Sequence, residues 1–146
     1  NAFAQLSLGQ LYFNGLGIRQ DKAEGINWYR KAAIQGIKEA QFELAKSYAT
    51  GNGIESDTNE AMKWFRKAAE QGDKKAQYIV GLAYFNGDFG CIKSKTEAVK
   101  WFRKAAEQDH KEAQFELAKC YVNGDGIERD FKEAAKWFRK YEDNKE

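Results

Sequence analysis

One nine-residue line recurs four times along the chain, and it constrains the fold more than any other feature. Residues 64–72 read WFRKAAEQG and residues 101–109 read WFRKAAEQD, while looser copies begin at Trp28 and Trp137. The tryptophans that open the copies are separated by 36, 37 and 36 residues. Self-similarity at such a period is typical of stacked supersecondary units. The sequence therefore predicts a protein of four repeats.

Each repeat reads as a helix, a glycine-rich loop and a second helix. In the second repeat Ala40, Leu44 and Tyr48 recur at helical spacing, and so do Ala61 and residues 64, 65 and 68. Both patterns draw one apolar stripe along a helix. The chain has no proline, which suits a protein built of helices. We predict an all-α solenoid of about eight antiparallel helices in one domain, residues 1–146, with repeats at about 4–39, 40–75, 76–112 and 113–146.

A start signal precedes the second helix of every repeat. A short polar residue stands three positions before a glutamate, which is close to a capping box, in which the first side chain accepts a backbone N–H bond and the glutamate reaches back. The acid also suits the positive end of a helix dipole. The four pairs are Asp21 and Glu24, Asp57 and Glu60, Ser94 and Glu97, and Asp130 and Glu133.

Composition narrows the function classes. Charged residues make up 32% of the chain but nearly cancel, leaving a net charge of +2, whereas nucleic-acid binders usually gather a basic excess on one face. No apolar run approaches the roughly 20 residues that span a bilayer. The chain begins at Asn1, which predicts a processed form or an excised fragment, so localisation stays open, with a periplasmic or secreted location favoured for a bacterial source.

The repeat pattern resembles that of the Sel-one-like repeat (SLR) family, a relative of the tetratricopeptide repeat. The resemblance rests on the positions of Ala40, Leu44, Ala45, Tyr48, Gly51 and Gly53, and of Glu60, Ala61, Trp64, Phe65, Ala68, Ala69 and Gly72. It implies a right-handed superhelix whose first helices line the concave face. It also implies an adaptor or scaffold that binds other proteins, so we expect no catalytic activity.

A cysteine-rich branch of that family supplies the alternative function. Some of its members are linked to penicillin-like compounds, which would make this chain a hydrolase or a small-molecule binder. That branch carries two cysteines in each repeat, whereas this chain has only Cys91 and Cys120. We predict that both are ordinary small apolar residues and not a disulfide.

Catalytic and metal-binding constellations are not evident. The single histidine, His110, precedes a predicted first helix, which favours a surface or capping role. No serine is followed three residues later by lysine, as penicillin-recognising enzymes require. We therefore predict no metal and no cofactor.

Arg-Lys pairs recur in the second helices and offer a further alternative. Stacked repeats could align them as a track for an anion or a nucleic acid. Acids such as Glu60 and Glu97 lie on the same helices, however, which favours a solvated outer face. We predict no nucleic-acid partner. The pairs are Arg30-Lys31, Arg66-Lys67, Arg103-Lys104 and Arg139-Lys140.

The binding site is predicted where the four copies disagree. The second and fourth first helices are nearly identical, whereas the third places apolar residues where those two carry a glutamate and a lysine. We expect such positions to form part of a concave surface that receives a peptide or a partner helix. Asparagines at the helix ends could bond an extended backbone, although ending a helix before glycine is their competing role. The predicted site comprises Phe13, Asn14, Lys46, Ile79, Leu82, Phe85, Asn86, Lys119 and Asn123.

The two ends of the chain differ in character. At the C-terminus the Ala-Ala pair becomes Tyr141-Glu142, followed by polar residues 143–146, which predicts a cap. At the N-terminus Phe3, Leu6 and Leu8 lie on a first helix with no preceding repeat in this sequence. We expect either upstream repeats or self-association through this edge.

Overall fold

The computed structural model of the chain describes residues 1–144, and these residues form eight α-helices. Lys145 and Glu146, the end of the predicted C-terminal cap, lie outside the described residues. The first helices of the four repeats are α1 (Ala2–Asn14), α3 (Lys38–Thr50), α5 (Lys74–Asn86) and α7 (Lys111–Asn123). The second helices are α2 (Lys22–Ile34), α4 (Thr58–Glu70), α6 (Lys95–Ala106) and α8 (Phe131–Asn144).

The chain divides into two compact halves of two repeats each. We call Asn1–Gln71 the N-terminal half and the part that begins at Gly72 the C-terminal half. In every repeat the first helix packs against the second. Between the repeats of one half, α2 packs against α3, and α6 packs against α7.

Small residues of the recurring line form the seam between repeats within each half. Ala32 and Ala33 are buried, and the facing Leu44 of α3 is buried with them. In the C-terminal half Ala105 and Ala106 take the same places, and Leu117 faces them from the core. Because alanine leaves room for close helix approach, the large side chains can fill the remaining space without voids.

Buried glutamines tie neighbouring repeats together. Gln41 Nε2 donates to the carbonyl oxygen of Ala33 at 3.1 Å, and Gln114 Nε2 donates to that of Ala106 at 3.2 Å. Both acceptors belong to the last turn of a second helix, where carbonyls have no partner within the helix. Gln71 Nε2 in turn donates to Gln41 Oε1 at 2.7 Å. The glutamines of the second and fourth repeats therefore link each of these repeats to the one before it.

The second helices start where the sequence predicts, but one half of the predicted capping box is wrong. The side chains of Asp21, Asp57, Ser94 and Asp130 each accept a bond from the backbone N–H of the glutamate three residues on. The reciprocal bond from the glutamate is replaced, because the N–H of the capping residue donates to a carbonyl of the first helix. The acceptors are the carbonyls of Tyr12, Tyr48, Tyr84 and Tyr121, at 2.8–3.0 Å.

The first helices end on glycine, as predicted. Gly15, Gly51, Gly87 and Gly124 adopt the left-handed conformation, with φ of 69–74°. In each, the glycine N–H donates to the carbonyl four residues back, which satisfies one orphan acceptor of the helix end.

The N-terminal edge lacks the cover that later first helices receive. Phe3 is 67% exposed and Leu11 is 38% exposed. Gln5 accepts a hydrogen bond from Gln35, but its amide N–H groups donate none within residues 1–144. At the other end, the Tyr141 ring packs on Phe115 with centroids 5.1 Å apart.

Candidate peptide-binding surface

A pocket of about 360 Å³ opens in the N-terminal half, on the side of the first helices. Helices α1 and α3 form its walls, and Tyr29 of α2 contributes to its lining. Three predicted site residues, Phe13, Asn14 and Lys46, meet here. The complete lining is Gln10, Phe13, Asn14, Leu16, Tyr29, Glu43 and Lys46.

Tyr29 is the most buried member of the pocket. Tyr29 is 1% exposed, and its hydroxyl is not among the fully buried polar atoms that lack a partner within the described part of the chain. Burial, followed by the nearby negative charge of Glu43, raises the pKa of Tyr29 to about 12. The phenol is therefore neutral at physiological pH, and its hydroxyl can both donate and accept.

The ring of Tyr29 is fixed by its neighbours. It packs against Phe13 with centroids 5.7 Å apart. On α1, Gly9 makes room for it, because a Cβ there would lie 2.6 Å from the Tyr29 ring. The floor of the pocket is thus set by packing rather than by polar bonds.

An ion pair forms the α3 wall of the pocket. Lys46 Nζ lies 3.3 Å from Glu43 Oε2, and about half of the Lys46 side chain is exposed. Its ammonium also lies 5.5 Å from the ring of Phe42. Such an exposed pair is worth well under about 1 kcal/mol, so either partner can be recruited by a ligand at little cost.

In the C-terminal half the predicted site residues lie on α5 and α7. Leu82 and Phe85 are half-buried and pack against the core. The Phe85 ring lies 6.2 Å from that of Phe102, so part of its surface is structural. Ile79 is half-buried, and Lys119, at 3.2 Å from Glu116, is exposed.

The three asparagines occupy one structural position. Asn14, Asn86 and Asn123 are each the last residue of a first helix, directly before a left-handed glycine, and each is exposed. The position fits the helix-ending role, and it leaves the amide groups accessible. Their contact with a peptide backbone stays a prediction.

Tyr29 and Glu43 are absent from the residues predicted from the sequence. The signal for Tyr29 is visible in the repeats, because the equivalent residues are Phe65, Phe102 and Phe138. Only this repeat adds a hydroxyl at a position that is otherwise an apolar ring.

Four residues of types that often act in catalysis have structural surroundings here. Ser47 Oγ donates to the carbonyl of Glu43 at 3.0 Å, and Ser94 caps α6. His110 caps α7, since its Nδ1 accepts from the N–H of Ala113 at 3.2 Å, which confirms the capping role. Burial raises the pKa of the Cys120 thiol to about 11, so it holds little thiolate at neutral pH.

Residues 1–144 hold no cluster of three or more His, Cys, Asp or Glu side chains that could bind a metal ion. No described helix combines the length and the apolar character that a bilayer span demands. Cys91 and Cys120 form no disulfide within the described residues.

The Arg-Lys pairs of the second helices lie over aromatic rings. The Arg30 guanidinium lies 5.6 Å from the ring of Tyr48, and that of Arg103 lies 5.6 Å from the ring of Tyr121. Lys31 and Lys104 lie over the tryptophan three residues earlier, at 4.2 and 4.5 Å. These cations help to hold the repeats, which favours the structural interpretation of the pairs.

Family models identify the repeat type. A Sel1-repeat model matches four times, at residues 2–37, 38–73, 74–110 and 111–140. Sel1-repeat proteins are generally non-catalytic scaffolds that bind other proteins. No match to the chain is found among the curated proteins.

Solved structures agree on the fold. A protective antigen of uropathogenic Escherichia coli strains, which displays an SLR fold, is 42% identical with a TM-score of 0.91 over 97% of this chain and 30% of that chain. A Sel1 repeat protein of Oxalobacter formigenes is 37% identical with a TM-score of 0.90, over 99% of this chain and 59% of that one. This chain thus spans less than two thirds of either.

A more distant structure shares the fold alone. Cysteine rich protein B of Helicobacter pylori is 17% identical with a TM-score of 0.66, over 85% of this chain and 91% of that one. The predicted fold class, an all-α solenoid of four helix–turn–helix repeats, is confirmed by the family model and by these structures.

Proposed function

The chain belongs to the Sel1-repeat family, and we propose that it is a non-catalytic interaction module that binds an extended peptide segment of a partner protein. The peptide lies on the face carried by the first helices, which the family resemblance predicts to be concave. The observation that carries the proposal is the pocket of the N-terminal half, because Phe13, Asn14 and Lys46 line it together.

The chemistry of the pocket supports a peptide ligand. It combines one apolar ring, Phe13, with the side-chain amides of Gln10 and Asn14 and with an ion pair. Amides can bond the donors and acceptors of an extended backbone, while a ring and a charge select a side chain.

The C-terminal half contributes a second contact zone to the proposal. Ile79, Leu82 and Phe85 recur at helical spacing on α5 and keep part of their surface exposed. Asn86, Lys119 and Asn123 supply exposed polar groups on the same first helices. We propose that the α5 residues of this half contact apolar side chains of a peptide.

A differential capture experiment tests the proposal. The wild-type chain and the double variant Asn14→Ala/Lys46→Ala are immobilised, and bound proteins are compared. The matched control is Lys63→Ala, which removes an exposed second-helix lysine that pairs with Glu60 at 3.9 Å. We expect a set of partners that the double variant loses and the control keeps.

Binding is then measured directly with a peptide from such a partner. Calorimetric titration with Leu82→Glu and Phe13→Ala should show weaker binding by about tenfold or more, the cost of losing a buried apolar contact or burying a charge. Retained affinity in both variants, with unchanged circular dichroism, would show that the first helices do not carry the interaction.

We further propose that the exposed N-terminal edge of this chain self-associates. Phe3 and Leu11, both on α1, are 67% and 38% exposed. Light scattering across a concentration series should reveal a dimer that Phe3→Glu/Leu11→Glu converts to monomer. A wild-type chain that stays monomeric at high concentration would refute self-association.

A further inference from the structure

The hydroxyl of Tyr29 is the one polar departure at an otherwise apolar position. The equivalent residues of the other repeats are Phe65, Phe102 and Phe138. Phe65 and Phe102 are as deeply buried as Tyr29, at 2% and 0% exposed. Packing alone is therefore satisfied by a phenyl ring at this place.

The hydroxyl of Tyr29 is open to the pocket rather than sealed in the core. The fully buried side-chain polar atoms that lack a partner within residues 1–144 are tryptophan Nε1 atoms, and Tyr29 Oη is not one of them. Tyr29 lines a pocket of about 360 Å³, which is large enough for a side chain. A ligand atom in that pocket can therefore bond the hydroxyl.

The surroundings of the hydroxyl favour a cationic ligand. Glu43 is the charged group that acts on Tyr29, and its carboxylate lines the same pocket. The pocket also lies at the C-terminal end of α1, the negative end of the helix dipole, and the last turn of α1 carries no basic residue. Phe13 adds an aromatic face that attracts cations.

Two cations of the chain compete with a ligand at this pocket. Lys22 Nζ lies over the Phe13 ring at 5.9 Å, and Lys46, about half of whose side chain is exposed, pairs with Glu43 at 3.3 Å. A ligand cation held by more than one acceptor can displace both flexible side chains into solvent, where their ammonium groups are well hydrated. The pocket then gains a buried charge-assisted bond in exchange for an exposed one.

We propose that the Tyr29 pocket receives the guanidinium group of an arginine side chain from the bound peptide. The guanidinium donates to a Glu43 carboxylate oxygen and to Tyr29 Oη, and its planar face stacks on Phe13. Arginine fits better than lysine because its fork presents several donors in one plane and because it is more weakly hydrated. The inference rests on the proposed function and names one side chain of its ligand.

The C-terminal half supplies the control. At the positions of Gln10 and Tyr29 it carries Leu82 and Phe102, whereas Glu116 and Lys119 repeat the ion pair of Glu43 and Lys46. The same charges are present there without the hydroxyl. Only the N-terminal half should therefore select arginine.

The test uses three small probes and isotope-labelled protein. Nα-acetyl-arginine methylamide is titrated while NMR follows the side-chain amides of Gln10 and Asn14, with the norleucine and glutamate analogues as comparisons. We expect saturable shifts with the arginine probe alone. Tyr29→Phe and Glu43→Gln should each weaken binding by about tenfold, the factor for one hydrogen bond to a charged group, and Glu116→Gln should leave it unchanged.

Several outcomes would overturn the proposal. These are equal binding of the norleucine probe, preference for the glutamate probe, no saturable binding of any probe, or an affinity that Glu43→Gln leaves intact. Tyr29→Phe keeps the residue found in the other repeats, so loss of folding is not expected, and circular dichroism checks it. If the arginine probe fails while partner peptides still depend on Asn14 and Lys46, the occupant is wrong and the proposed function stands.

Discussion

The two halves of the chain share a set of equivalent contacts, although many of their side chains differ. Lys22 and Lys95 occupy equivalent positions, over Phe13 at 5.9 Å and over Phe85 at 5.4 Å. The Gln41 and Gln114 bonds to the preceding repeat also match. Residues that build the stack are thus fixed in both halves.

Two of the differences change the chemistry, one at the first-helix pocket and one at a helix start. Tyr29 and Gln10 of the N-terminal half become Phe102 and Leu82, so a polar lining becomes an apolar one. Ile37, which makes no side-chain cap to α3, becomes the capping His110 before α7. The two halves therefore share one architecture but differ in the chemistry of these positions. Substitutions at equivalent positions can separate the effects of architecture from those of chemistry.

The largest expected effect is on the shared core. Phe102→Ala should lower the free energy of unfolding by about 3–5 kcal/mol, because it empties a fully buried ring site. Tyr29→Ala should cost nearly as much, because the Tyr29 ring is almost equally buried. Urea unfolding followed by circular dichroism measures both. A Tyr29→Ala cost below half of the Phe102→Ala cost would break the equivalence of the two positions.

Architecture could be predicted from the sequence because it rests on local, repeated signals. Glycine before a loop, an acid at a helix start and Ala-Ala at a seam each act through the backbone or through size. Four copies in register multiply that signal. The predicted helix order and the repeat family are confirmed for that reason.

The errors and omissions concern contacts between segments. The capping residue N–H donates to a tyrosine carbonyl of the first helix, and this bond depends on how two helices pack rather than on spacing along the chain. The pocket depends likewise on α1, α2 and α3 meeting, so Phe13, Asn14 and Lys46 were predicted without Tyr29 and Glu43. The sequence signal for Tyr29 is that this one repeat carries tyrosine where the other three carry phenylalanine.

Glycines opposite the two rings sharpen the comparison further. A Cβ at Gly9 or Gly81 would lie 2.6 Å from the ring of Tyr29 or Phe102. Gly9→Ala and Gly81→Ala should each destabilise by about 1–2 kcal/mol, since overpacking outweighs the helix propensity that alanine gains. Thermal melts measure the loss.

A double-mutant cycle identifies the cause of that loss. Gly81→Ala combined with Phe102→Leu should cost less than the sum of the two single changes, because the smaller side chain relieves the clash. Strictly additive effects would show that the glycines serve a purpose other than room for the ring.

Substitution of equivalent glutamines compares the seam between repeats with the exposed N-terminal edge. Gln41→Met should cost about 1–2 kcal/mol, because it removes two side-chain hydrogen bonds, one to the Ala33 carbonyl and one from Gln71, although that carbonyl keeps the N–H of Gly36. Gln114→Met should behave alike for Ala106. Gln5→Met should cost less than about 0.5 kcal/mol, because its amide donates to no carbonyl within residues 1–144. Equal costs at Gln5 and Gln41 in chemical denaturation would mean that the edge is covered in solution.

The smallest expected effect is a pH-dependent loss of stability at the start of α7, which the start of α3 should not show. Burial lowers the pKa of His110, and the charges of Lys74 and Lys75 lower it further, while Glu112 and Asp73 oppose them. The neutral ring caps α7 by accepting at Nδ1, and protonation removes that acceptor. The stabilisation is therefore complete above the ordinary pKa of about 6.5 and is lost as pH falls below it. We expect a loss of up to about 1 kcal/mol, the usual worth of a cap.

Hydrogen exchange in the two helix starts measures this difference. Between pH 7.5 and 5.5, after correction for intrinsic rates, protection in the first turn of α7 should fall relative to that of α3, where Ile37 cannot titrate. His110→Asn, which caps without titrating in this range, should flatten the α7 profile. Two results would contradict this expectation. One is protection that falls equally in α3 and α7, and the other is a pH dependence in α7 that is the same in His110→Asn as in the wild type. Either result would assign the pH response to charges that both halves carry and not to His110.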